Sequence, residues 1–411
     1  MTTATTSTTP VRSSGLPSIQ SIVIGAGVLI GAVLLWLIGD SQGSAKATLF
    51  VVGIALGVTL FHSRFGFTSA WRQLVAVGQG RALQAHTVML GLAVVLFAVI
   101  FQAGTGWFGT EPAGFYSPIT LALFVGAALF GIGMQLGGSC ASGTLFATGS
   151  GNLAVVITLV GFITGSGIGV AGWDFWTSGA GFVKFADPVS FPDTFGRWGG
   201  VVVSLLILAA IAGIAEAIIR RRRPPALESV PSANGVARVL RGSWPIWAGA
   251  IVLAVLNAVV LLVTGRPWGV TSAFRLWASK ILDAVGVNVA AWSFWNERPG
   301  LDAPVFADNT SVANFGIIVG ALVASAAAGG FAFYKKVPGR TVAAGIVGGI
   351  LMGYGATFAS GCNIGAYFSG IASGSLHGYV WAVFALVGTW IGLKLRPIFA
   401  LSVPKPTDSS C

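Results

Sequence analysis

The run GIGMQLGGSCASGTLFATGSG at residues 131–151 decides the fold, because a second version, GYGATFASGCNIGAYFSGIASG, occupies residues 353–374. Each copy begins within an apolar stretch and breaks at a glycine-rich turn around one cysteine. The alignment pairs Cys140 with Cys362. Broken apolar helices in corresponding positions of two halves are typical of transporters built from internal repeats.

A second repeated motif strengthens this interpretation. Residues 65–72, FGFTSAWR, match residues 268–275, WGVTSAFR, in the pattern aromatic-Gly-x-Thr-Ser-Ala-aromatic-Arg. An odd number of predicted crossings separates the motif from its copy, so the two copies approach the membrane from opposite sides. The sequence therefore predicts inverted repeats related by a pseudo-twofold axis in the membrane plane.

The composition excludes a soluble globular protein. Of 411 residues, 55% are hydrophobic and only 9% are charged, against about 25% charged in an average soluble domain. The long segments are apolar on all sides rather than alternating, which excludes a lipid-facing β-barrel. The predicted fold class is all-α: a polytopic membrane protein with inverted repeats and re-entrant half-helices.

The apolar segments predict ten complete crossings and four shorter pieces that enter the membrane without crossing it. The crossings lie near residues 19–38, 47–61, 86–102, 118–136, 152–171, 199–219, 245–263, 313–333, 341–358 and 376–395. The half-helices lie near 67–78, 142–149, 271–285 and 363–372.

Basic residues set the predicted orientation, because Lys and Arg collect in cytoplasmic loops. With a cytoplasmic N-terminus, most of the basic residues fall inside, including the RRRR run at 220–223. The net charge of +11 is then explained without nucleic acid. The predicted organisation is a cytoplasmic tail (1–18), a first membrane half (19–219), a cytoplasmic linker (220–243), a second membrane half (244–396) and a second cytoplasmic tail (397–411).

The half-helices predict a site for an anion. A half-helix that starts in mid-membrane directs its free N–H groups and positive dipole end toward the centre, and four such ends would converge. Glycines at the turns allow close backbone approach, while the hydroxyls are candidate N-caps or hydrogen-bond donors. The candidate substrate-binding residues are Cys140, Cys362, Ser139, Ser142, Gly138, Gly361, Asn363, Thr68, Ser69, Thr271, Ser272, Arg72 and Arg275.

Several of these residues also have a simpler explanation. Buried cysteines often act only as small packing residues, and the two arginines within apolar stretches either bind a ligand or extend toward the interface. Arg64 and Arg266 are expected to anchor the membrane boundary. The histidines His62, His86 and His377 lie near predicted span ends, where contact with water is expected. Without C-x-x-C or metal-ligand spacing, no cofactor or metal is predicted.

The Thr-Ser-Ala stretch, the GGSCASG turn and the ASGCNIG turn resemble the YeeE/YedE membrane family, also called the sulfur-transport domain family. The resemblance covers about residues 47–396. It implies uptake of thiosulfate or a related sulfur compound, passed between mid-membrane cysteines at Cys140 and Cys362, in a bacterial inner membrane. It also implies a cytoplasmic sulfur-carrier or sulfurtransferase partner. Members that take up thiosulfate usually carry a further cysteine in the first motif, where this chain has Gly66.

The favoured function is therefore a permease, not an enzyme, for a small sulfur-containing anion, most simply thiosulfate. The alternatives are a membrane thiol-redox or persulfide-relay protein and a selenium-compound transporter of the same fold. A channel for water or a neutral solute also suits paired half-helices. No partner beyond the anion, the lipid and a sulfur-handling protein is predicted.

Overall fold

The computed structural model describes residues 17–225, 233, 235, 237–296, 298, 300–333 and 336–405. The N-terminal tail up to residue 16, much of the linker and residues 406–411 lie outside the described residues. Arg12 and Lys335, two of the basic residues on the predicted cytoplasmic side, also lie outside the described residues, as does Cys411.

Within the described residues, the chain folds into helices and a two-stranded sheet. Antiparallel strands β1 (Ile119–Thr120) and β2 (Lys184–Ala186) pair, and a π-helical segment, Asn363–Ser369, follows the Cys362 turn. The α-helices are α1 (Ser21–Gln42), α2 (Ser44–Ser63), α3 (Phe67–Ala76), α4 (Arg81–Ala103), α5 (Leu121–Leu136), α6 (Ala141–Gly149), α7 (Leu153–Ala171), α8 (Trp173–Thr177), α9 (Phe191–Phe195), α10 (Arg197–Arg222), α11 (Ala237–Arg241), α12 (Ile246–Thr264), α13 (Thr271–Ala284), α14 (Ser293–Asn296), α15 (Asn309–Ala327), α16 (Gly339–Phe358), α17 (Gly370–Ala372) and α18 (Leu376–Leu395).

Within the described residues, ten helical stretches are long and apolar enough to cross a membrane, as predicted. Two of these stretches join a long helix to the half-helix that follows it: Ser44–Ala76 contains α2 and α3, and Leu121–Gly149 contains α5 and α6. The turn between α5 and α6 packs against a neighbouring helix, because the carbonyl of Gly137 accepts a hydrogen bond from Thr158 of α7. Gly133 similarly packs against Gly348 in the middle of α16.

Equivalent helices of the two repeats run in opposite directions. Gly249, near the start of α12, packs against Ser63 at the end of α2. Gly126, near the start of α5, packs against Gly355 near the end of α16. The helix pairs α2/α12 and α5/α16 are thus antiparallel, as the predicted inverted repeat requires.

The packing pattern shows how the repeats are arranged. The contact of α2 with α15 has its equivalent in that of α12 with α4, and α7 with α16 corresponds to α18 with α5. In the same way, the contact of α1 with α15 corresponds to the contact of α10 with α4. By packing, α10 therefore has the place in the second repeat that α1 has in the first, although the charged linker follows α10. The division of the chain at residues 220–243 stays a prediction.

Two faces of the protein can be distinguished. We call the face that carries the end of α10 and residues 237–245 the linker face. We call the opposite face, with residues 104–120, 172–196 and 285–308, the loop face. The half-helix α3 ends near the linker face, where Gly78 contacts Arg222, while α13 lies on the side of the loop face.

Candidate functional site: two cysteine turns and an arginine-lined cavity

Cys140 lies at the start of α6, after a turn in which Gly138 adopts a φ of +79°. The thiol is buried, and its Sγ atom lies 3.6 Å from the hydroxyl oxygen of Ser142. The backbone amides of Gly143, in α6, and Phe67, the first residue of α3, also approach this sulfur. Two helix starts therefore meet at one thiol, whereas the sequence analysis expected four to converge.

Cys362 has an equivalent environment at the other turn. Gly361 adopts a φ of +123°, a conformation that other residues rarely accept. The N–H of Ile364 donates to the Cys362 sulfur over 3.4 Å, and the amide of Gly365 also approaches it. The thiol is completely buried. Backbone N–H groups thus point at each sulfur from the start of a half-helix.

The two cysteine turns meet in the interior. The segment Asn363–Ser369 contacts α6, and both cysteines belong to the same buried cluster. The structure thus brings together the two residues that the sequence repeat pairs.

A cavity of about 650 Å³ opens on the loop face and is lined by the arginines Arg266, Arg275 and Arg298. A smaller cavity of about 270 Å³ shares Arg266 and Arg275 with it and extends to Gly361, next to Cys362. Asp308 is the acidic residue in the lining. Positively charged side chains therefore line the cavities between the loop face and the Cys362 turn.

Aromatic rings hold two of these arginines. The guanidinium of Arg298 lies over the rings of Trp173 and Phe294, 4.7 and 4.4 Å from their centroids. That of Arg275 lies 5.6 Å from the Phe294 centroid and makes no hydrogen bond to the described residues. A cation–π contact orients a cation without neutralising it, so the positive charge of Arg275 stays available to an anion.

The hydroxyl residues on the side of the loop face line a cavity and do not cap α13. Thr271 and Ser272 both line the smaller cavity, and the Ser272 hydroxyl donates to Thr310 over 2.8 Å. The N-cap residue is Val270, whose side chain cannot cap. Of the two predicted roles, hydrogen bonding within the cavity fits and capping does not.

The equivalent residues of α3 have different hydrogen-bond partners. Gly66 is the N-cap, Ser69 donates back to its carbonyl over 3.1 Å, and the hydroxyl of Thr68 is buried without a partner. Arg72 donates to the Gln135 side chain over 3.0 Å. The first-motif arginine is thus held by the protein, unlike its copy.

The remaining candidates lie next to the thiols. Ser139 hydrogen-bonds Thr144 over 2.8 Å. Gly138 is exposed, with open space where a Cβ would be. Both polar atoms of the buried Asn363 side chain lack a hydrogen-bond partner. Open space thus reaches both turns, at Gly138 and at Gly361, while the thiols between them are enclosed.

The sequence analysis missed several residues of this region. Arg266, expected at the membrane boundary, lines both cavities, and Arg298 was not singled out. The expected contact of His62, His86 and His377 with water is wrong, since all three are buried. For His86 the cause is the predicted span end: α4 begins at Arg81, so the histidine lies inside the helix.

Known proteins resemble this chain over most of its length. A family model described as "Sulphur transport" matches residues 62–391. The thiosulfate transporter TsuA of Spirochaeta thermophila is 26% identical over 359 residues, which cover 84% of this chain and 96% of that protein. TsuA of Escherichia coli is 25% identical over 346 residues, covering 83% and 91%.

A further relative matches only part of the chain. The probable transporter YedE of Escherichia coli is 28% identical over 162 residues, which cover 39% of this chain and 40% of YedE. The family match extends from α2 to α18 and includes both repeated motifs and both cysteine turns. The chain therefore belongs to the sulphur transport family.

Proposed function

We propose that this protein is a permease that carries thiosulfate from the loop face to the linker face through the constriction between Cys140 and Cys362. The observation that carries the proposal is the meeting of two buried thiols, each at a helix start, between two open regions. Two relatives that align along most of the chain are named thiosulfate transporters.

Capture on the loop face follows from the charge of the cavity. Arg266, Arg275 and Arg298 raise the local concentration of anions, and the smaller cavity, which shares Arg266 and Arg275, reaches Gly361. Asn363, whose amide group is unpaired, can donate to an oxygen of the substrate. The oxyanion end of thiosulfate then meets N–H donors at the helix starts.

The thiols suit the other end of the substrate. A thiol is a weak hydrogen-bond donor and matches the soft terminal sulfur of thiosulfate, which sulfate lacks. Transfer from Cys362 to Cys140 needs no covalent bond, because each thiol only donates its S–H to the passing sulfur. The protein acts as a transporter and not as an enzyme in this scheme.

We further propose that the linker face is cytoplasmic and that both termini lie on that side, in a bacterial inner membrane. The support is the basic character of the linker face, where α10 ends in Arg220, Arg221 and Arg222. A sulfur-carrier or sulfurtransferase protein on the same side would consume the imported anion and keep uptake favourable.

Uptake of radiolabelled thiosulfate into proteoliposomes tests the function. We expect uptake by the wild-type protein and a loss of at least about tenfold in Cys140→Ala and in Cys362→Ala, since one donor to a charged ligand contributes about 1.5–3 kcal/mol. Cys411→Ala is the matched control and should transport normally. Normal uptake in both buried-cysteine variants would contradict the cysteine route.

Competition and redox experiments separate the alternatives. Excess sulfate should not compete with labelled thiosulfate, whereas a selenium compound that competes more strongly would identify the selenium alternative as correct. A redox relay requires a disulfide between Cys140 and Cys362 at some stage. We expect uptake to be the same with and without reductant; a disulfide trapped during turnover would favour the redox protein instead.

A further inference from the structure

An aromatic cluster surrounds Tyr367, five residues after Cys362. The ring centroid of Tyr367 lies 5.6 Å from that of Trp71, 6.0 Å from Phe67, and 6.4 Å from both His86 and Trp381. Phe67 and Trp71 belong to α3, while the other two rings come from α4 and α18. The cluster adjoins the cysteine pair, since the amide of Phe67 approaches the Cys140 sulfur.

The polar atoms of this cluster have no hydrogen-bond partners within the described part of the chain. The indole nitrogens of Trp71 and Trp381, both ring nitrogens of His86 and the hydroxyl of neighbouring Thr68 are all buried and unpaired. The Tyr367 hydroxyl makes no hydrogen bond there either. Buried polar groups are almost always paired in folded proteins, so such a concentration at one place favours a binding site.

The repeat itself shows that packing does not require these polar atoms. Trp71 aligns with Phe274, and Tyr367 aligns with Leu145 in the other cysteine segment. Phe274 packs against Phe162 with ring centroids 4.8 Å apart. At these two positions the other half of the repeat carries hydrocarbon side chains, whereas the α3 side carries an indole N–H and a phenol O–H.

We propose that Trp71, His86, Tyr367 and Trp381 form an inner binding site for the transported anion, on the α3 side of the cysteine pair. The inference rests on the proposed transport function. Indole N–H and phenol O–H groups donate hydrogen bonds, and a neutral imidazole donates one, so the cluster offers a set of donors suited to the oxygens of an oxyanion.

Neutral donors also suit the position of the site along the route. Arg266, Arg275 and Arg298 provide full positive charge on the loop face, whereas the nearest arginine of α3, Arg72, is engaged with Gln135. Hydrogen bonds from neutral groups hold an anion less tightly than those from ionised groups. The anion would bind here after passing the thiols and then leave readily toward the linker face.

The test combines transport with thermal stability in Trp71→Phe, Trp381→Phe and Tyr367→Phe. Each variant removes one unpaired polar group and keeps the ring. We expect thiosulfate uptake to fall by about tenfold in each variant, in line with the loss of one hydrogen bond to a charged group. Trp390→Phe is the control, because Trp390 is on the same helix as Trp381 but is 51% exposed.

Stability separates a binding site from a structural role. Without anion, the three variants should unfold at the same or a higher temperature than the wild type, since an unpaired buried group has been removed. The rise in unfolding temperature on adding thiosulfate should be smaller than in the wild type. Unchanged uptake and an unchanged thiosulfate shift in all three variants would overturn the inner site and show that the groups bind water only.

The wild-type protein distinguishes the failure of this inference from the failure of the proposed function. If the wild type neither transports thiosulfate nor is stabilised by it, the proposed function is wrong and the inner site loses its ligand with it. If the wild type transports thiosulfate, requires Cys140 and Cys362, and the aromatic variants behave like Trp390→Phe, only the inner site is wrong.

Discussion

Arg72 and Arg275 occupy matched positions in the two repeats but have different surroundings. Arg72 donates from its Nε atom to the side chain of Gln135 over 3.0 Å. Arg275 faces the loop-face cavities, and its guanidinium contacts the ring of Phe294 without a hydrogen bond to the described residues. Inverted repeats place equivalent side chains on opposite sides of the membrane, and here one arginine hydrogen-bonds Gln135 while the other lines a cavity.

Replacing Arg275 should weaken substrate capture. We expect Arg275→Gln to raise the KM for thiosulfate about tenfold, because a charge-assisted hydrogen bond becomes a neutral one, with a smaller change in kcat. Initial uptake rates over a range of thiosulfate concentrations measure both constants. Arg340→Gln, at an exposed residue of α16 on the linker face, is the control. An equal rise of KM in the control would show a general effect of charge.

Arg72→Gln should have a different effect from its counterpart. The substitution removes the hydrogen bond to Gln135, so we expect a lower unfolding temperature with a nearly unchanged KM. Unfolding followed by a thiol-reactive dye that reports exposure of Cys140 and Cys362 measures the first quantity, and uptake measures the second. A large increase in KM without loss of stability would assign Arg72 to substrate binding.

Gly361 should be intolerant of a side chain. Its φ of +123° is strained for any other residue, so Gly361→Ala should destabilise the protein by about 1–3 kcal/mol and reduce uptake by moving Cys362. Gly339→Ala is the control, since that glycine has open space for a Cβ and no positive φ. The unfolding temperature checks the prediction, and equal values for the two variants would contradict it.

A cysteine at position 66 should fit only when the side chain of Ser69 is also shortened. A Cβ on Gly66 would lie 2.7 Å from the Ser69 hydroxyl oxygen, so we expect Gly66→Cys alone to lower uptake. In Gly66→Cys with Ser69→Ala the added thiol would stand beside Phe67 and near Cys140, and the KM for thiosulfate should fall. Ser69→Ala alone is the control. A double variant no better than Gly66→Cys would show that a thiol here does not contact the substrate.

The proposed orientation can be tested with a membrane-impermeant thiol reagent in right-side-out vesicles. In a Cys411→Ser background, Ser44→Cys at the start of α2 should be labelled directly, because it is exposed on the loop face. Ser402→Cys, exposed beyond α18, should be labelled only after permeabilisation. The reverse pattern would place the linker face outside the cell.

The sequence predicted the features that depend on stretches of neighbouring residues. Ten crossings follow from the length of the apolar runs, and the inversion follows from the parity of crossings between the matched motifs. The position of both cysteines at helix starts follows from the glycine-rich turns. The ends of the spans were less accurate, and for His86 an error of five residues turned a buried side chain into an expected interfacial one.

Amino-acid sequence alone determined that the chain crosses the membrane as inverted repeats with a cysteine at each helix break, because apolar length, charge and internal similarity are properties of the chain itself. Only the tertiary structure decided which of two matched arginines lines the loop-face cavity, and that unpaired polar atoms gather around Tyr367. Those properties depend on neighbours such as Gln135 and Trp381, which distant segments bring into place.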